Sequence, residues 1–230
     1  MADDKLQDGI AFVSTYPPRQ CGIGTFTRSL SSACSEHLND RLRSMVVALD
    51  DPEEDYDYPD IVKHELDQRA RVDYVEAAEF INFSNVRAVS LQHEFGIFGG
   101  DDGSYVLDML RELRCPVITT LHTVLDEPTA GQREVMDELI VLSQRLVVMS
   151  HKGVKFLTDI YDAPQEKIDF IPHGVEQLPL VEPDLYKGQF DMDGREVILT
   201  FGLLSPGKGI EHMLQALPPV VEQYPNLCYI

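Results

Sequence analysis

Two histidines follow two successive apolar runs of the sequence, each at the point where the run ends. His93 and Glu94 stand in LQHEFGIFGG, with three glycines directly behind them, and His122 and Thr123 stand in LHTVLDEP. In open α/β sheets, ligands bind outside the carboxyl ends of parallel strands, so we expect the two histidines to point into one crevice. A histidine at such an edge can exchange a proton or hydrogen-bond a substrate, which makes this edge the first candidate site.

A glycine pair follows the first apolar run, in YPPRQCGIGTF. Gly22 and Gly24 precede a helix that we expect to begin near Thr25. Glycine lets a ligand approach the backbone, and the amides at a helix start suit an anion. A tight strand-to-helix connection without any ligand is the alternative. A dinucleotide fingerprint fits less well, because six residues separate the run from the first glycine, although Asp50 after the second run keeps that interpretation open.

A third candidate is the segment FGLLSPGKGI. Gly202, Gly207 and Lys208 have the GxxxxGK spacing of a phosphate-binding loop, but Gly209 stands where that loop carries a serine or threonine. Without this hydroxyl, a magnesium ligand would have to come from elsewhere. Two interpretations stay open, a phosphate-binding lysine and an exposed turn.

The sequence lacks the motifs of several other kinds of catalytic or metal site. Neither strand-end histidine belongs to an HExxH motif, no three zinc ligands have a familiar spacing, and no serine lies in GxSxG. The four cysteines show no CxxC pair, which argues against a zinc ribbon or a disulfide framework and fits a reducing compartment. An acidic segment at 50–60 is expected to be a solvated loop. The sequence therefore predicts a site without a metal.

Charge and hydropathy exclude further classes. Lys and Arg number 19 against 39 Asp and Glu, a net charge of −20, so nucleic acid and anionic lipid surfaces are not expected partners. No apolar run reaches the roughly 20 residues of a membrane helix, and the first residues lack the pattern of a signal peptide. We expect a cytoplasmic protein with no integral membrane segment.

The order of elements predicts the fold class. Short β-branched runs (GIAFVST, LRSMVVALD, VRAVSLQ, CPVITTLH, RLVVMS, KIDFIP) alternate with helical stretches. This alternation is typical of an α/β fold with a Rossmann-like parallel sheet and helices on both faces. A polar, proline-bearing stretch then separates the sheet from a new strand. The predicted divisions are a first lobe at 1–175, a linker at 176–195 and the start of a second lobe at 196–230.

A series of short motifs resembles one known family. GIGTF, LHTV, VVMSHKGVKFL, IPHGV and FGLLSPGKGIEHMLQAL occur in the same order as in the retaining glycosyltransferases of family four, over essentially the whole chain. Two further stretches, TYPPRQCGIGTF and QHEFGIFGG, look like a bacterial and archaeal branch of that family. The resemblance implies the GT-B fold, in which an amino-terminal lobe mainly holds the acceptor and a carboxyl-terminal lobe mainly holds the nucleotide sugar.

The resemblance also implies a reaction. A hexose would pass from a nucleotide sugar, such as a UDP- or GDP-hexose, to a hydroxyl acceptor with retention of configuration, and His122 would contact the transferred sugar at the reaction centre. Two groups of binding residues are implied, namely Gly22, Gly24 and Lys208 for the donor diphosphate and His93, Glu94 and Thr123 for the acceptor. A lysine there would stabilise the departing diphosphate without a metal.

The sequence departs from the family pattern in two ways. Leu203 stands where many relatives carry an arginine, and the paired glutamates and base pocket of the family would follow Ile230. We therefore expect an amino-terminal fragment that is inactive alone. Two other functions stay open, a lobe that binds a glycan or small molecule without turnover and, more weakly, a nicotinamide-dependent oxidoreductase based on Gly22, Gly24 and Asp50.

Overall fold

A computed structural model describes residues 9–37, 43–175, 178–202 and 208–230. The chain divides into two compact units, Met1–Gly174 and Val175–Ile230. Within the described ranges, no helix has the length and apolar character that a membrane crossing requires.

The first unit is built on a parallel sheet of seven strands. The strands are β1 (Gly9–Ser14), β2 (Arg43–Asp50), β3 (Val62–Asp67), β4 (Val86–His93), β5 (Val117–Leu121), β6 (Arg145–Val148) and β7 (Ile168–Phe170). Their order is β3-β2-β1-β4-β5-β6-β7, and every described pair is parallel. The predicted α/β class with a Rossmann-like sheet is confirmed. The strand order reverses between β1 and β4, which is where such sheets bind ligands.

Helices connect these strands. They are α1 (Gly22–His37), α2 (Arg71–Phe83), α3 (Val106–Glu112), α4 (Ala130–Leu142) and α5 (His151–Asp159). The first residues of α4 and α5 follow capping side chains: Thr129 accepts from the amide of Gln132 in a capping box, and Ser150 accepts from the amide of Gly153. These caps satisfy amides that have no partner inside the helix.

Two expectations about elements were wrong. Helix α1 begins at Gly22 and not near Thr25, because the Thr25 amide already donates to the Cys21 carbonyl at 3.1 Å. Strand β3 was not predicted at all. It is an edge strand with the sequence VKHELD, in which only Leu66 is buried, so the apolar pattern that marks the central strands is missing.

Apolar side chains cover both faces of the sheet. One cluster packs strand residues such as Val13 and Leu91 against α2, α3 and α4, and a smaller cluster packs Phe12 and Val46 against Leu30 of α1. Burying one such side chain completely contributes about 1.5–3 kcal/mol. Since the faces are filled, the positions open to a ligand are those just beyond the carboxyl ends of the strands.

The second unit is small. It contains α6 (Asp184–Lys187), β8 (Glu196–Ile198), α7 (Ile210–Gln223) and β9 (Leu227–Tyr229), and β8 pairs in parallel with β9. None of its described residues is buried. Lys208 is exposed two residues before α7. The predicted phosphate loop also includes Leu203 and Gly207. These two residues lie outside the described residues.

Candidate functional site

The first wall of the candidate site is the turn from β1 into α1. A Cβ at Gly24 would lie 3.3 Å from the backbone nitrogen and Cα of Tyr16, so a bare glycine lets the helix pack closely against this turn. The hydroxyl of Thr27 donates to Ser14 at 2.7 Å and ties the same helix to the strand end. Gly22 is exposed, and a Cβ there would meet nothing within 4 Å. Close packing against Tyr16 therefore explains the glycine at position 24. The phosphate-binding role of Gly22 and Gly24 stays a prediction.

His122 lies directly after β5 and is held by a buried amide. Its Nε2 lies 3.0 Å from Oε1 of Gln92, and the amide nitrogen of Gln92 donates to the hydroxyl of Ser90 at 3.1 Å. The backbone amide of His122 donates to the carbonyl of His93 at 2.9 Å, which extends the β4–β5 pairing by one residue. The imidazole is thus positioned from both its backbone and its ring.

Burial and, to a smaller extent, the nearby His173 keep this imidazole neutral. The ring of Phe26, from α1, makes an edge contact with His122 at 5.0 Å between centroids and a second edge contact with His173 at 5.6 Å. Burial, with a smaller contribution from the nearby His173, lowers the pKa of His122 to about 4. At neutral pH the ring therefore carries one proton, so one nitrogen can donate a hydrogen bond while the other accepts one.

A pocket of about 440 Å³ opens beside His122. Its walls come from the residues after β5, from the start of α5 and from His173; its polar lining side chains are His122, Thr123, Asp126, Ser150, Lys152 and His173. Ligand pockets commonly have volumes of about 300–1,000 Å³. The pocket is thus large enough for a small polar ligand, and it lies at the strand edge that the sequence indicated.

Glu94 and Thr123 meet across the ends of β4 and β5. The Thr123 hydroxyl donates a short hydrogen bond to the Glu94 carboxylate, and Thr123 also lines the pocket. The structure thus brings His122, Thr123 and Glu94 to one edge of the sheet. Their roles toward a sugar or an acceptor stay predictions.

His93 lies in a different environment from His122. Its side chain is 0% exposed, and neither ring nitrogen has a hydrogen-bond partner among the described residues. The ring stacks on Phe98 at 5.7 Å and meets the edge of Phe95 at 5.0 Å. His93 is not part of the pocket lining beside His122. Its acceptor-binding role stays a prediction, and in this conformation the ring has no surface that an acceptor could touch.

The burial of His93 predicts a pH-dependent stability. Burial lowers its pKa to about 3, so the unfolded chain takes up a proton below pH 6.5 while the folded chain does not. Stability is therefore lost as the pH falls from about 6.5 toward 3. We expect His93→Leu to remove about 2 kcal/mol of the difference in unfolding free energy between pH 7.5 and pH 5, measured by urea denaturation. His37→Gln, at an exposed position, is the control; an unchanged pH slope in the leucine variant would contradict the assignment.

Residues that the sequence analysis missed complete the site. Gln92 and Phe26 contact His122, and Phe26 also contacts His173, which lines the same pocket. A signal for Gln92 was present, because Ser90 and Gln92 alternate with apolar residues in β4 and so share one face of the strand. Phe26 had no such signal, since its contact with His122 depends on how α1 packs.

No set of three or more metal-ligating side chains is grouped anywhere in the described ranges. In the acidic segment, Asp51 and Glu53 form ion pairs with Arg69, at 3.4 Å and 2.8 Å. These carboxylates thus have a structural partner.

Comparison with known proteins extends the observations on the site. No family model matches the chain. The chain is 28% identical over 153 residues to a D-inositol 3-phosphate glycosyltransferase of Segniliparus rotundus, and the match covers 60% of this chain and 33% of that protein. The chain spans about a third of the length of this curated relative. Its sequence is therefore similar to part of a glycosyltransferase.

A solved structure has a similar fold. The crystal structure of a glycosyltransferase from Rickettsia africae ESF-5 superposes with a TM-score of 0.53 at 12% identity, and the match covers 97% of this chain and 68% of that one. At this identity the likeness shows the fold alone. The α/β architecture of the chain, with its Rossmann-like sheet, is similar to that of this solved structure.

Proposed function

We propose that this chain is part of a retaining glycosyltransferase of family four, which transfers a hexose from a nucleotide sugar to a hydroxyl acceptor. The observation that carries the proposal is the arrangement at His122: a neutral, firmly held imidazole at the carboxyl end of β5, beside a pocket of about 440 Å³. The sequence similarity to a glycosyltransferase supports the same class.

A neutral imidazole suits glycosyl transfer. Positive charge develops on the sugar ring as the bond to the leaving group breaks. A cationic histidine at the reaction centre would repel that charge, whereas a neutral one can hydrogen-bond a sugar hydroxyl without this cost. The lowered pKa of His122 supports such a role.

The leaving group requires the opposite electrostatics. Negative charge builds on the nucleoside diphosphate as it departs, and a lysine ammonium or the free amides of a helix start can stabilise it. We propose Lys208 and the backbone around Gly22 and Gly24 for this purpose, with the diphosphate itself acting as the base on the front face of the sugar. The proposed reaction uses no metal or other cofactor.

The acceptor would bind on the first unit. Glu94 and Thr123 offer oxygen atoms that can pair with acceptor hydroxyls, and Lys152 adds a positive charge to the pocket wall. We propose an acceptor lobe at 1–175, a linker at 176–195 and the beginning of a donor lobe at 196–230, in a cytoplasmic protein.

The direct test is transfer by the protein at its natural length. UDP- and GDP-hexoses are titrated by calorimetry, and transfer to hydroxyl acceptors is followed by NMR of the anomeric proton. We expect binding of at least one nucleotide hexose and a product that retains the anomeric configuration of the donor.

Three other outcomes would contradict the proposal in different ways. An inverted product would disprove the retaining mechanism. Binding without turnover would favour the alternative of a binding lobe. Bound NAD(H), seen by its absorbance or fluorescence on purification, would favour the oxidoreductase alternative.

A further inference from the structure

The ring orientation of His122 depends on a residue that does not line the pocket. Gln92 is 0% exposed and lies in β4, 30 residues away from His122 in sequence. Its amide has two ends with different partners. The nitrogen end donates to Ser90 Oγ at 3.1 Å, and the oxygen end lies 3.0 Å from His122 Nε2.

This orientation of the amide indicates which ring nitrogen carries the proton. An amide oxygen can only accept a hydrogen bond, so Nε2 of His122 must be the donor. In a neutral imidazole, Nδ1 then has a free lone pair. Among the described residues, Nδ1 of His122 has no hydrogen-bond partner, while Phe26 makes an edge contact with the ring.

We propose that Gln92 is a positioning residue that holds His122 in its Nε2–H form and so presents Nδ1 as a hydrogen-bond acceptor for a sugar hydroxyl. The role toward the sugar rests on the proposed glycosyl transfer, whereas the proton assignment does not. The opposite tautomer would turn a donor toward the sugar hydroxyl and would place two lone pairs, those of Nε2 and of the amide oxygen, against each other at 3.0 Å.

The test compares the natural-length protein with Gln92→Met and Gln92→Glu. Methionine fills a similar volume without an acceptor for the imidazole, and glutamate keeps an acceptor at the same place. Nitrogen chemical shifts of the imidazole distinguish a protonated from a bare ring nitrogen. We expect Nε2–H in the parent protein and in Gln92→Glu, and a mixture of both tautomers in Gln92→Met.

Kinetics separate positioning from simple structural support. We expect Gln92→Met to lower kcat roughly tenfold with little change in the donor KM, since one neutral hydrogen bond to a reacting-site residue is lost, and we expect Gln92→Glu to recover part of the loss. A thermal unfolding curve of each variant checks that the fold is kept.

Each outcome decides between the alternatives. A proton on Nδ1 in the parent protein, or an unchanged tautomer in Gln92→Met, would overturn the inference. A shifted tautomer with an unchanged kcat would overturn the role of Gln92 toward the sugar. If neither the parent protein nor its variants transfer a sugar, only the proposed function fails. The NMR result still decides the proton assignment.

Discussion

Replacing His122 with alanine is expected to lower kcat by about 10²–10³-fold while the Kd for UDP or GDP stays nearly unchanged. Removing one preorganised polar contact at a reaction centre has an effect of this size, because the contact is strongest in the transition state. The imidazole of His122 is held by Gln92 and Phe26 beside the pocket, so its loss removes an ordered group. The measurement is steady-state kinetics with calorimetric titration of the nucleoside diphosphate.

A variant of Lys208 is expected to change the kinetics in a different way from the variant of His122. Lys208→Ala should raise the donor KM by about 10- to 100-fold, because a charged group that binds a diphosphate contributes to binding as well as to departure. His37→Ala, at an exposed position in the last turn of α1, is the control. Small and equal effects at His122 and Lys208 would mean that the site has been placed wrongly.

Replacing Gly99 with alanine is expected to destabilise the first unit by about 3 kcal/mol or more, at the upper end of the cost of overpacking. A Cβ at Gly99 would lie 1.9 Å from the carbonyl oxygen of Gln68 and 2.9 Å from the ring of Tyr105. The contact at Gln68 is with backbone, so a side-chain rotation cannot relieve it.

The same glycine anchors the segment that encloses His93. The Gly99 amide donates to Tyr74 Oη at 2.9 Å, and that hydroxyl donates to the carbonyl of Gln68 at 3.0 Å. A shift at Gly99 would break this chain and move Phe98, which stacks on His93. Urea denaturation at pH 7.5 measures the loss.

Gly96 offers a matched control three residues away. It is exposed, and a Cβ there would meet nothing within 4 Å. Gly96→Ala should change the unfolding free energy by no more than about 0.5 kcal/mol. Equal effects of the two alanines would show that close packing against Gln68 does not explain Gly99.

Much of the fold followed from local pattern. Helices α2 and α4 lie in the helical stretches that alternate with the predicted strands, because apolar spacing and, for α4, the Thr129 cap act within a few residues of one another. The central strands were found as apolar runs, since strands buried on both faces are apolar throughout. Edge strand β3 was missed because its side chains are mostly polar or half-exposed, which short-range pattern does not distinguish from a loop.

The sequence by itself determined the class of fold and the strand edge at which His122, Thr123 and Glu94 meet, because residues that end parallel strands share one edge. The tertiary structure decided which of the two histidines is accessible. His122 opens on a pocket, while Phe95 and Phe98 enclose His93. It also placed the amide oxygen of Gln92 within hydrogen-bond distance of His122 Nε2. Such contacts join side chains far apart in sequence, and only packing of the whole sheet brings them within hydrogen-bond distance.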